Sequence, residues 1–116
     1  MGLGWHITMR LESGAVLFPT VAARREAART IARIGAAHRV YVFHAPDTHV
    51  HVGALTEREP AGRLARALEV SLRRLLPEHA RWEPARLRAI DTQSHLEHVF
   101  RYVLDQASHH ETHADP

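Results

Sequence analysis

At 116 residues, with 45% hydrophobic and 24% charged side chains, the chain has the composition of one globular domain and is too short for a barrel enzyme of ~250 residues. It has no cysteine, which excludes a disulfide scaffold and a thiolate zinc site and leaves the redox compartment open. All 15 basic residues are arginine, yet the formal net charge is only +2, a balance that permits a nucleic-acid partner without demanding one.

The opening "GWHITMRLES" alternates, with Trp5, Ile7, Met9 and Leu11 on one side and His6, Thr8 and Arg10 on the other. That pattern predicts a half-buried strand. Pro19 then opens a helix from about Thr20 to Gly35, with Val21, Ala28, Ile31 and Ile34 at helical spacing. "HRVYVFHA" is a second strand and "HVHVGAL" a third, and the short turn "PDT" between them predicts a hairpin. A second helix spans about Pro60 to Leu76, with Leu64, Leu68, Leu72 and Leu75 on one stripe and Pro77 as its stop. "RLRAIDT" is a short fourth strand. Ser94 and Glu97 form a capping-box pattern for a last helix, about Ser94 to Ser108. The expected organisation is a single domain over residues 1–109 with a polar tail, 110–116. No apolar run approaches a membrane span and no signal-peptide pattern opens the chain, so a cytoplasmic protein is expected.

The order β-α-β-β-α-β-α predicts an α+β fold, a ferredoxin-like (RRM-like) split antiparallel sheet with an extra C-terminal helix. Two helices would cover one sheet face. The other would carry His6, Thr8, Arg10, Tyr41, His49, His51, Arg86 and Arg88.

Strand alternation puts His49 and His51 on the same face, while Val50 and Val52 enter the core. Two such imidazoles are well placed to share a metal ion, although a histidine-rich chain also carries ordinary surface histidines. On the last helix the apolar stripe is Leu96, Val99, Phe100, Val103 and Ala107. Tyr102 and Gln106, four residues apart, sit together beside that stripe. They offer a phenol and an amide oxygen to one neighbour, or they are surface filler. His95 and His98 lie near the same face and can meet nucleic acid or solvent. The arginines of the first two helices are most simply solvated, and the tail histidines His109, His110 and His113 belong to a loose segment.

Together, "HVHV", "WEPARLRAID" and "FRYVLDQ" resemble the single-tyrosine HUH transposases, the insertion-sequence 200/605 group, and their relatives, the REP-associated tyrosine transposases. The resemblance runs from "GWHITMR" to "RYVLDQ". The tail lacks the Asn-Pro found after the tyrosine segment in REP-associated relatives, so the insertion-sequence branch is the better match. "PDT" stands where many relatives have Pro-Asn.

The resemblance implies that His49 and His51 are metal ligands, Tyr102 the nucleophile and Gln106 the third ligand. Mg²⁺ or Mn²⁺ is the implied cofactor; Zn²⁺ is also compatible with the donor set. The implied activity is cleavage and strand transfer of single-stranded DNA, often beside a hairpin, through a 5′-phosphotyrosine link. Arg10, Arg86 and Arg88 are candidates for the phosphate backbone, and Tyr41 and Trp82 for base stacking. A homodimer is implied too, with Tyr102 serving either its own histidines or its partner's. The alternative expectation is a non-catalytic single-stranded nucleic-acid-binding module, or a domesticated transposase without transposition. A zinc hydrolase lacks a carboxylate at motif spacing.

Overall fold

The computed structural model describes residues 3–45, 48–99 and 101. Four strands, β1 (Gly4–Met9), β2 (Val40–His44), β3 (Val50–Ala54) and β4 (Arg86–Ile90), alternate with helices α1 (Val21–Ala36) and α2 (Arg58–Leu72). A 3-10 turn at Arg73–Leu75 follows α2, and a third helix, α3, occupies residues 93–99. The sheet is antiparallel with strand order β2-β3-β1-β4. That is the split β-α-β arrangement expected from the element order.

The main core lies between the sheet and the pair α1 and α2. Ile7, Met9, Val50, Val52 and Ala54 point into it from the sheet, and Ala61, Leu64, Leu68 and Leu72 meet them from α2. The leucine stripe of α2 is therefore the buried one. Its helix starts earlier than Pro60, at Arg58. Proline in the first turn removes only an amide that has no intrahelical acceptor there.

The inward stripe of α1 differs from the one its periodicity suggests. Ala27, Thr30, Ile31 and Gly35 are buried, whereas Val21 is 52% exposed. Small residues let the backbone approach closely, and the Thr30 hydroxyl takes a hydrogen bond from Arg74 at 2.9 Å while donating to the Glu26 carbonyl. The helix is capped by Thr20, whose hydroxyl accepts the Ala23 amide at 3.0 Å.

The cap of α3 also departs from expectation. The Thr92 hydroxyl accepts the His95 amide at 3.0 Å, and the Leu96 amide bonds the Thr92 carbonyl. Thr92, two residues past the end of β4, is thus the cap, and the helix begins before Ser94. α3 lies on the sheet face opposite α1 and α2. A small second core of Val42, Ile90 and Val99, flanked by Tyr41 and Leu96, fastens it there.

That second core depends on an irregularity in β2. The β2–β3 register shifts between Val40 and Val42. Val40 and Phe43 pack toward the main core, while Val42 and Tyr41 join the second one. A bulge of this kind re-aims side chains that strict alternation would send elsewhere.

The Tyr41 ring then lies across Gly53, where an added Cβ would stand 2.7 Å from two ring carbons. Gly53→Ala is expected to cost roughly 1–3 kcal/mol by overpacking. In a Tyr41→Leu background the same substitution should cost less. Urea unfolding of the four proteins in this cycle checks the coupling, and equal costs in both backgrounds would contradict it.

Candidate functional site

The part of the open face left uncovered by α3 is lined by β1, β3, β4 and the end of β2. Register brings His6 opposite Arg88, Thr8 opposite His51 and Arg86, and His44 opposite His51. His51 sits in the middle, 9% exposed. Its ring centroid lies 5.7 Å from that of His49 and 5.7 Å from that of His6.

Burial, first, and then the fields of His6, His49 and His44 lower the His51 pKa to about 4. At neutral pH its ring is therefore neutral and keeps a lone pair. His6 is likewise held below its ordinary value by burial, with Arg88 and His95 adding to the effect. His49 lies just ahead of β3, and its Nδ1 is 2.8 Å from the Thr48 hydroxyl. When Nδ1–H donates to that oxygen, Nε2 is left as the ligating nitrogen.

The donor chemistry of this pair suits an imidazole-tolerant divalent cation. Among the described residues no group of three His, Cys, Asp or Glu side chains is placed to hold one ion. A complete site would need a further ligand. Tyr102 and Gln106, the nucleophile and third ligand expected from sequence, lie outside the described residues, as does the polar tail.

Of the candidate DNA contacts, Arg10 and Arg86 come together. They line a pocket of about 100 Å³ with Thr8, His49, Glu83 and Pro84. Arg10 is ion-paired with Glu83. The Arg10 hydrogen bond holds the Glu83 carboxyl below its ordinary pKa, and the charges of Arg10, Arg86 and His49 act in the same direction. Backbone bonding explains the pairing, because the Glu83 amide donates to the Arg10 carbonyl at 2.8 Å. Arg88 faces a different cleft. Tyr41 is half-buried over Gly53, and burial raises its pKa.

Trp82 is not among these residues. Its ring packs on the main core and its indole N–H donates to the Glu69 carbonyl in α2 at 3.2 Å. This placement makes it a structural residue rather than a base-stacking platform.

Sequence reasoning nominates neither His44 nor Glu83. Strict alternation from Tyr41 sends residue 44 to the opposite face, and only the bulge reverses that. His6 was legible, since it shares a face with Thr8 and Arg10.

No protein-family model matches the chain, and no curated protein matches it by sequence. Among solved structures it is similar to a REP-associated tyrosine transposase bound to a REP hairpin, with a TM-score of 0.52. The two are 14% identical over 94% of this chain and 70% of the other. What they share is the fold. Among the described residues no helix is long and apolar enough to cross a membrane.

The low His51 pKa carries a stability consequence. Its folded value, about 4, lies below the ordinary 6.5. Between these values the unfolded chain takes up a proton that the folded chain refuses, so the stabilisation is complete above pH 6.5 and is lost as pH falls toward 4. The effect should reach up to about 3 kcal/mol. Urea unfolding at neutral and acidic pH should show a steeper loss for the wild type than for His51→Gln; parallel losses would contradict the assignment.

Proposed function

We propose that the chain cleaves and rejoins single-stranded DNA, with Tyr102 as nucleophile and His49, His51 and Gln106 as ligands of Mg²⁺ or Mn²⁺. The observation that carries this reading is the presentation of His49 and His51 on one open sheet face, with α3 docked on that same face. Support also comes from the fold shared with a tyrosine transposase bound to a REP hairpin. The sequence places Tyr102 directly beyond α3.

Of the two tyrosines in the chain, Tyr41 is a poor nucleophile. Burial keeps its phenol protonated, and its ring is packed on Gly53. Tyr102 is the remaining phenol. In the proposed step its oxygen attacks the phosphorus and the bond to the 3′ oxygen breaks. The phenol gives up a proton and the departing 3′-hydroxyl takes one up, so the exchange is balanced. One phosphodiester replaces another, and the reverse reaction reseals DNA without an external energy source.

A cation bound at this face would act as a Lewis acid on a phosphate oxygen and as a template for the scissile group. The residues of the chain do the rest. His51, neutral through burial, offers its lone pair at physiological pH. Thr48 fixes the ring orientation of His49. Arg86, and Arg10 once freed from Glu83, provide forks for backbone phosphates.

The test is incubation of the full chain with single-stranded hairpin oligonucleotides and Mn²⁺, followed by denaturing electrophoresis. A covalent protein–DNA adduct is expected, absent in Tyr102→Phe. His49→Ala and His51→Ala should lose cleavage by at least 100-fold while still binding DNA. An adduct that persists in Tyr102→Phe removes the assigned nucleophile. Binding without cleavage of any strand would favour a non-catalytic binding module. Adduct formation on mixing Tyr102→Phe with His49→Ala would identify a homodimer in which one copy's tyrosine serves the other's histidines.

A further inference from the structure

Two pockets of the open face, as lined by the described residues, share Thr8. One is the Arg10, Glu83, Arg86 and His49 pocket, whose positive charge is partly offset by the Glu83 carboxylate. The other is a cleft of about 260 Å³ between the sheet and α3, lined by His6, Thr8, His51, Arg88, His95, His98 and Val99. Among the described residues no carboxylate lines this second cleft. Arg88 makes no ion pair among the described residues and is exposed, so its guanidinium is available to a ligand.

The lining selects the ligand class. At the end of the cleft away from the His49 and His51 pair, the Arg88 guanidinium repels a second cation. Among the described lining residues an apolar ligand would find only Val99. An anion with several acceptor oxygens finds the Arg88 fork, the N–H groups of His95 and His98, and the Thr8 hydroxyl. The cleft and the pocket that holds His49 share Thr8 in their linings.

We propose that the cleft beneath α3 is a phosphate subsite, in which Arg88, His95 and His98 hold a backbone phosphate of the nucleic-acid strand adjacent to the one at His49 and His51. This rests on the reading of single-stranded DNA as substrate. It gives α3 a second duty: the helix closes over the strand with its histidines as well as leading to Tyr102.

The experiment reads binding in EDTA, where no cleavage occurs. A fluorescein-labelled single-stranded oligonucleotide is titrated with the full chain at several salt concentrations. Arg88→Gln should weaken binding about tenfold and reduce the slope of log K against log salt by about 0.7, the loss of one phosphate contact on a single strand. Arg63→Gln, on α2 and paired with Glu59, should change neither. In parallel, the imidazole NMR signals of His95 and His98 should move on adding the oligonucleotide. If they move equally with inorganic phosphate at the same concentration, the cleft binds free phosphate rather than a strand and the proposal is overturned.

Wild-type affinity and slope in Arg88→Gln, or stationary imidazole signals at saturating oligonucleotide, would also overturn it. The two readings fail separately. Binding through this cleft with no tyrosine adduct removes strand transfer and leaves the subsite. An adduct with Arg88→Gln binding unaltered does the reverse.

Discussion

The open face depends first on the alternation of β3. Val50, Val52 and Ala54 are fully buried against α1 and α2. Sliding the strand by one residue would put His51 and Gly53 into that core and bring the valines to the surface. The apolar residues therefore hold the histidines in place. Three buried side chains contribute on the order of 1.5–3 kcal/mol each for the larger ones, enough to fix the register, and the polar face is carried along with them.

The second dependence is the bulge in β2. It turns Val42 and Tyr41 toward the open face, where Val42 meets Ile90 and Val99 and so anchors α3. Without that small apolar contact, α3 would have no fixed position relative to His51. The same bulge brings His44 opposite His51. A local irregularity thus both attaches the last helix and completes the histidine cluster. The cluster keeps His51 neutral through desolvation and through the fields of its neighbours, the protonation state in which imidazole is a ligand.

Charge on this face is arranged in two ways. Around His49 the arginines are balanced by Glu83, and Arg10 is already engaged. Under the proposed function, a backbone phosphate arriving there would have to displace that carboxylate from Arg10. Beneath α3 no carboxylate among the described residues lines the cleft.

Much of this was legible in the sequence. The element order, the β2–β3 hairpin, the leucine stripe of α2 and the shared face of His6, His49, His51, Arg86 and Arg88 all follow from periodicity. The α1 stripe did not, because in an Ala-rich helix the small residues that permit close approach carry almost no hydrophobic signal, and Thr30 is buried through Arg74. The sequence pattern favours Ser94 as the α3 cap, but several residues after β4 can cap, and backbone geometry selects Thr92. The bulge leaves no mark in the alternation, so His44 was passed over. Trp82 looked like a stacking residue by type, yet its indole is occupied by α2. The identity of Tyr102 and Gln106 as site residues rests on resemblance rather than on periodicity.

The central claim is that β3 presents His49 and His51 to a single cation. Pulsed electron paramagnetic resonance of the Mn²⁺-loaded chain tests it directly, because imidazole nitrogens bound to the ion modulate its echo. The account predicts coupling to two imidazole nitrogens, reduced to one in His49→Ala and to one in His51→Ala. A spectrum without nitrogen coupling, or one unchanged in both variants, would contradict it.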